Sequence, residues 1–201
     1  MLPAMDSKHL LRSLFMPLLA VSGAASAAPL TPGEQLGSAI FFDDHLAING
    51  NQACAACHGP ATGWTGPNEA VNIGGGVYEG SIAGRFGNRR ASSTAYATPS
   101  PVLHFTIDPK TKKAVFIGGN FWDGRATGEK LGHPAADQAQ GPFLNPLEQA
   151  LPDSACVVYR VCKATYAVSF EAVYPGNCAI GFPADADARC AAGEVLALSS
   201  A

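Results

Sequence analysis

Methionine, long apolar runs and basic clusters are what this chain lacks. Its three methionines, Met1, Met5 and Met16, all fall in the first 16 of 201 residues. No segment approaches the roughly 20 consecutive apolar residues that a membrane-spanning helix needs. The formal net charge is −3 and lysines and arginines form no run, which excludes the electrostatic footprint of a nucleic-acid binder. Gly74-Gly75-Gly76 is not followed by Gly-Lys-Ser/Thr, so it is not a phosphate-binding loop. No internal repeat is present. Of the six cysteines, only Cys54 and Cys57 stand in a Cys-x-x-Cys spacing. That rules against a paired-motif zinc site, and the absence of a surrounding βαβ pattern rules against a thioredoxin-type site.

The N-terminus reads as an export signal. Lys8 and Arg12 precede a mostly apolar stretch from Leu14 to Val21, and Ala25-Ser26-Ala27 supplies small residues for cleavage. The expectation is a signal peptide over residues 1–27 and a mature domain over 28–201, exported to a bacterial periplasm. At 174 residues the mature part is long enough to bury one core.

Cys54-Ala55-Ala56-Cys57-His58 is the attachment signature of a c-type haem. Two thiols about one helical turn apart can each form a thioether with one vinyl group, and the histidine that follows ligates the iron. The expected cofactor is therefore one covalent haem c, held by Cys54 and Cys57 with His58 as iron ligand. Without methionine in the mature chain, His/Met ligation is excluded, leaving histidine, lysine, tyrosine, water or an open sixth position. Cys156, Cys162, Cys178 and Cys190 remain; in an oxidising compartment they can form two disulfides, in any of three pairings.

Local patterns predict helices joined by long loops. Thr31-Pro32-Gly33-Glu34 is a capping box with proline at the first helical position, and Leu36 and Ile40 extend that helix to about Phe42. Asp153 caps a helix running through Lys163, Tyr166 to Val173 form another that stops at Pro175, and a last one covers Asp185 to Leu198. Residues 59 to about 120 read as a long ordered loop system, with short extended pieces at Val102–Ile107 and Ala114–Ile117. The fold class expected is all-α: a cytochrome c-like helical domain with long loops around one covalent haem.

These residues carry a resemblance. Leu36-Gly37, Phe41-Phe42-Asp43, Asn49-Gly50 and the Cys-x-x-Cys-His motif are followed by Phe121-Trp122-Asp123-Gly124-Arg125, Gln138 and Asn145-Pro146-Leu147-Glu148. In that order they resemble the N-terminal haem domain of the bacterial di-haem cytochrome c peroxidases and related methylamine-utilisation di-haem enzymes, over about residues 33–175. The resemblance implies a peroxide-reacting haem with His58 as proximal ligand. It implies Gln138 and Glu148, ten residues apart, on the distal side, and Trp122 on an electron path between two haems. It further implies hydrogen peroxide as substrate and a c-type cytochrome or cupredoxin as electron donor. The family's second haem domain, with its own Cys-x-x-Cys-His, has no counterpart in these residues. The expectation is a fragment, a truncated product or one half of a two-chain system, carrying only part of an inter-domain calcium site.

Two functions follow. One is a peroxidase-type enzyme using Gln138 and Glu148 on a haem held by His58. The other is a mono-haem electron carrier with bis-histidine ligation, its second ligand being His104 or His133. Glu148 has a plainer role open to it as a helix cap, Gln138 as a solvated helix residue and Trp122 as a core residue. Arg89 and Arg90 suit either haem propionates or the surface, and His45 suits the surface.

Overall fold

The computed structural model describes residues 28–198; the signal peptide expected over 1–27 lies outside them. Helix α1 (Pro32–Phe41) starts as the capping box requires. Thr31 Oγ1 accepts from the Glu34 backbone N–H at 3.3 Å and the Glu34 carboxylate accepts from the Thr31 N–H at 2.7 Å. After α1 a single 3₁₀ turn (Asp44–Leu46) and a tight turn at Gly50 (φ 59°) lead into the haem-motif turn Cys54–Ala56. Helix α2 (Glu69–Ile73) then interrupts the long loop.

The fold is not all-α, which corrects the expectation. Strands β1 (His104–Ile107) and β2 (Ala114–Ile117) pair antiparallel, His104 opposite Ile117 and Ile107 opposite Ala114. The two extended pieces are rich in β-branched and aromatic residues, which favour a pleated surface. Asp108 closes the turn between them, its Oδ1 accepting the backbone N–H of Lys110 and Thr111 at 2.8 and 2.7 Å. Such an Asx turn is a strong local signal for reversal. Phe105 and Phe116 stack across the pair, ring centroids 6.4 Å apart, with both rings exposed.

The rest is helical: α3 (Pro134–Ala139), α4 (Gly141–Leu144), α5 (Ser154–Val161), α6 (Ala167–Val173) and α7 (Ala186–Ala192). Asp153 caps α5 as expected, accepting from the Cys156 N–H at 2.8 Å. The last helix is shorter than expected. Gly193, at φ 75°, takes the left-handed conformation that ends it, a common glycine exit.

The apolar core lies between α5 and α7. Leu151, Cys156, Ala186, Cys190 and Leu196 are buried there, with Ile48, Tyr159 and Phe182 packed around them. Of the three possible pairings the structure forms Cys156–Cys190 and Cys162–Cys178, a nested pair. Arg160 of α5 forks onto the N-terminal segment, donating to the carbonyls of His45 (2.7 Å), Ala47 and Ile48 (3.0 Å). The helical core thereby holds the chain just before Cys54.

Loop-closure entropy sets an expectation for the disulfides. Cys162–Cys178 spans 16 residues and Cys156–Cys190 spans 34, for which the chain-entropy relation gives about 3 and about 4 kcal/mol. Replacing each pair by serines should lower urea-unfolding stability in that order. A variant lacking Cys156–Cys190 that is as stable as the parent would contradict it.

Candidate haem site

The attachment turn is a compact piece of backbone. The N–H groups of Cys57 and His58 both donate to the Cys54 carbonyl, at 3.2 and 3.0 Å. This places two thiols and an imidazole on one turn. Cys54 and Cys57 are unbonded to each other, whereas the other four cysteines are all paired. Burial, and secondarily the Glu148 charge, pushes the Cys57 thiol up to about 11; burial also raises Cys54. Both thiols are therefore neutral at pH 7.

His58 is oriented by two backbone carbonyls. Its Nδ1 lies 2.9 Å from the Ser92 oxygen and 3.3 Å from that of Trp64. Carbonyl oxygens only accept, so Nδ1 carries the hydrogen and Nε2 keeps its lone pair for a metal. Trp64 has φ 62°, and its ring is held edge-on by Phe41 at 5.5 Å, so α1 supports this wall.

Cys54, Cys57 and His58 line one cavity of about 560 Å³, together with Gln138, Glu148 and Trp122. That volume lies within the range of cofactor pockets. Glu148 does not begin a helix, so the plain capping role is not what the structure shows. It sits in a turn after α4, where its Oε1 accepts from Asn145 Nδ2 at 2.7 Å. Burial raises the Glu148 carboxyl above its ordinary value, and Asn145, then His58 and Arg125, work against that rise.

Gln138 lies on α3, half-buried. The neighbouring Asp137 fastens the loop before α3 by accepting the N–H groups of Gly128 and Leu131, each at 2.8 Å. Gly128, at φ 86°, presses on Pro134, where a Cβ would come within 2.7 Å of the proline ring.

Trp122 is 87% exposed, so it is no core residue. The turn presenting it places Phe121 at φ 65° under the Arg125 guanidinium, 3.6 Å from the ring centroid. Arg125 also binds both oxygens of Asp123 at 2.9 Å. Arg89, Arg90 and Arg125 all line the cavity. Arg89 approaches Asp123 at 3.7 Å, whereas Arg90 has no carboxylate within 4.0 Å among the described residues.

The other histidines stand elsewhere. His45 is exposed and pairs with Asp44 at 2.9 Å. His104 lies in β1 with Nδ1 on the Val102 carbonyl at 2.9 Å. His133 has both nitrogens engaged: Nδ1 accepts from the Ala135 N–H at 3.1 Å and Nε2 donates to the Thr98 carbonyl at 3.0 Å. Among the described residues, His58 alone of the histidines lines the cavity.

The sequence reading missed the carbonyls of Ser92 and Trp64 and the Asn145 amide. Backbone acceptors carry no residue signal. Asn145, three residues before a carboxylate, was legible in spacing but was read as a helix start.

The donor set fits a covalent haem: two unbonded thiols, an imidazole whose Nδ1 is the hydrogen-bonded nitrogen, a cavity of suitable size and the Arg90 guanidinium, clear of carboxylates among the described residues, to receive a propionate. This architecture is that of a covalent haem c attachment site. The profile of the di-haem cytochrome c peroxidases matches residues 31–193, and the chain belongs to that family. It is 35% identical over 159 residues to the methylamine utilization protein MauG of Paracoccus denitrificans, covering 77% of this chain and 38% of the relative. It is 31% identical over 116 residues to the cytochrome c peroxidase Ccp of Escherichia coli, covering 57% and 18%. The diheme peroxidase BthA from Burkholderia thailandensis superposes with a TM-score of 0.63 at 27% identity, over 78% of this chain and 36% of that one. The chain thus spans less than two-fifths of these relatives. No helix among the described residues is long and apolar enough to cross a membrane.

The raised Glu148 value has a signed consequence. A carboxyl that binds its proton more tightly when folded loses stability as pH rises between its unfolded and folded values, and the penalty is complete above the folded one. Glu148→Gln should therefore gain stability over the parent at pH 7, with the gain vanishing below about pH 4. Urea unfolding at both pH values tests this; a pH-independent difference would refute it.

Proposed function

We propose that this chain is a haem c-dependent peroxidase unit that reduces hydrogen peroxide. The observation that carries the reading is the convergence of Cys54, Cys57, His58, Gln138 and Glu148 on one cavity. A haem bound there supplies the iron at which peroxide reacts and the redox equivalents for cleaving it. Glu148 serves as the acid–base group. Asn145 occupies its Oε1, which leaves Oε2 to take the proton from one peroxide oxygen and return it to the other. Burial raises its affinity for that proton above that of an exposed carboxylate. The Gln138 amide orients the peroxide and stabilises developing charge. Two electrons and two protons convert one peroxide to two waters. The exposed Trp122 ring is the proposed electron entry, from a c-type cytochrome, a cupredoxin or a second haem-bearing unit.

Residues 28–201 form this unit in the proposal, and residues 1–27 direct its export. The two disulfides support a periplasmic location, because such bonds persist in oxidising compartments. The bis-histidine carrier draws no support from the placement of His104 and His133.

The test is stopped-flow reaction of the haem-loaded chain with hydrogen peroxide. Glu148→Gln should slow it by about 10²-fold or more, and the acid limb of the parent's rate profile should lie above the ordinary carboxylate range. An unchanged rate in Glu148→Gln would remove the carboxylate from the chemistry.

A further inference from the structure

Three segments that are distant in sequence close into a hydrogen-bonded triangle around Ser81. Ser81 is 2% exposed, and each of its polar groups is used. Its hydroxyl donates to Asn51 Oδ1 at 2.6 Å and accepts the Asn49 N–H at 3.1 Å. Its carbonyl accepts from Asn49 Nδ2 at 2.9 Å and Asn51 Nδ2 at 3.0 Å. Its N–H donates to the Glu148 carbonyl at 2.8 Å. The other sides of the triangle are equally direct. The Ile48 N–H donates to the Gln149 carbonyl at 2.7 Å, Gln149 Nε2 donates to the Gln52 carbonyl at 3.0 Å, and Gln52 Nε2 donates to the Glu79 carbonyl at 2.8 Å. Gly80 lies flat on the backbone of the third segment; a Cβ there would come within 2.8 Å of the Glu148 carbonyl oxygen and closer still to that of Leu147.

We propose that Ser81, gripped by Asn49 and Asn51, is a positioning residue that sets the Glu148 carboxylate at a fixed place relative to the haem-attachment turn. The inference rests on the reading of Glu148 as the acid–base group. Residues 48–52 run directly into Cys54, and Glu148 and Gln149 line the same cavity as Gln52 and Cys54. Ser81 bonds to both segments. Serine meets the requirement because one small side chain must donate and accept at once in a site without spare volume. Alanine would strand the Asn51 carbonyl and the Asn49 N–H. An error of about 1 Å between reacting groups can cost about 10²-fold in rate, so a mobile Glu148 backbone has a kinetic consequence even when haem attachment is intact.

The experiment uses the haem-loaded chain with Ser81→Ala, Asn51→Ala, Glu148→Gln and the two double variants with Glu148→Gln. Asn51 is exposed, so its replacement is available if Ser81→Ala does not fold. Hydrogen exchange of the peptide covering residues 145–150 and the peroxide rate are both read. We expect faster exchange in that peptide and a rate about 10-fold lower in the single clamp variants. In the Glu148→Gln background the same substitutions should leave the rate unchanged, since a residue acting through Glu148 has nothing further to misplace. Equal slowing in both backgrounds, or unchanged exchange at 145–150, would overturn the proposal. If Glu148→Gln itself reacts at the parent rate, the reading of Glu148 fails, while the exchange measurement still decides whether Ser81 holds that segment.

Discussion

The hydrogen bond from His58 Nδ1 to the Ser92 carbonyl is the constraint on which the haem site depends. It decides the tautomer, and the tautomer decides whether the ring can ligate. A water partner at Nδ1 would leave both tautomers available, whereas a carbonyl admits one. The geometry is secured from two directions. Ser93 Oγ donates to the Gly63 carbonyl at 2.7 Å and the Thr94 N–H donates to the Trp64 carbonyl at 3.2 Å, so the two acceptor segments are tied together. The left-handed backbone at Trp64 costs about 1–2 kcal/mol for a non-glycine residue, and the Phe41 contact against its ring offsets part of that. Helix α1 thus supports the His58 side of the cavity through Phe41, although it supplies none of its polar groups.

Glu148 is balanced differently. Burying a carboxylate favours its protonated form, and a single amide donor to the charged form offsets this by about 1.5–3 kcal/mol. Desolvation wins at Glu148, which accounts for the direction of its shift. Arg125 is too occupied by Asp123 and Phe121 to reverse it. One amide on one oxygen leaves the other carboxylate oxygen without a side-chain donor among the described residues.

Local chemistry was legible wherever neighbours in sequence decide the outcome. The capping box at Thr31 and Glu34, the Asp153 cap and the two extended pieces were all readable, because each depends on residues three to five positions apart. The all-α class failed because an extended piece read singly does not disclose its pairing partner, although the Asp108 turn that joins the two is itself a local signal. The last helix stopped early at Gly193, a glycine exit that the apolar pattern through Leu198 overrode. At the site, motif spacing singled out Cys54, Cys57 and His58, and resemblance singled out Gln138, Glu148 and Trp122. The Ser81 triangle was invisible: its partners lie 27 to 101 residues away, and six of its eight bonds end on backbone carbonyls.

The distribution of apolar burial explains why so much of the site is held by polar bonds. None of the buried apolar residues lines the cavity, whereas buried Gln52 and Gln149 do. The half of the molecule around α5 and α7 has a conventional apolar core, stapled by two disulfides. Among the described residues the half around the attachment turn has no such core, and its segments are joined by backbone carbonyls, asparagine and glutamine amides and one serine. Hydrogen bonds of this kind contribute about 1 kcal/mol each, less than the roughly 1.5–3 kcal/mol from burying a large apolar side chain. They nevertheless fix direction, which apolar contacts do not. The polar triangle has a task that an apolar core performs poorly, keeping the Ser81 segment, residues 48–52 and residues 148–149 in one fixed register.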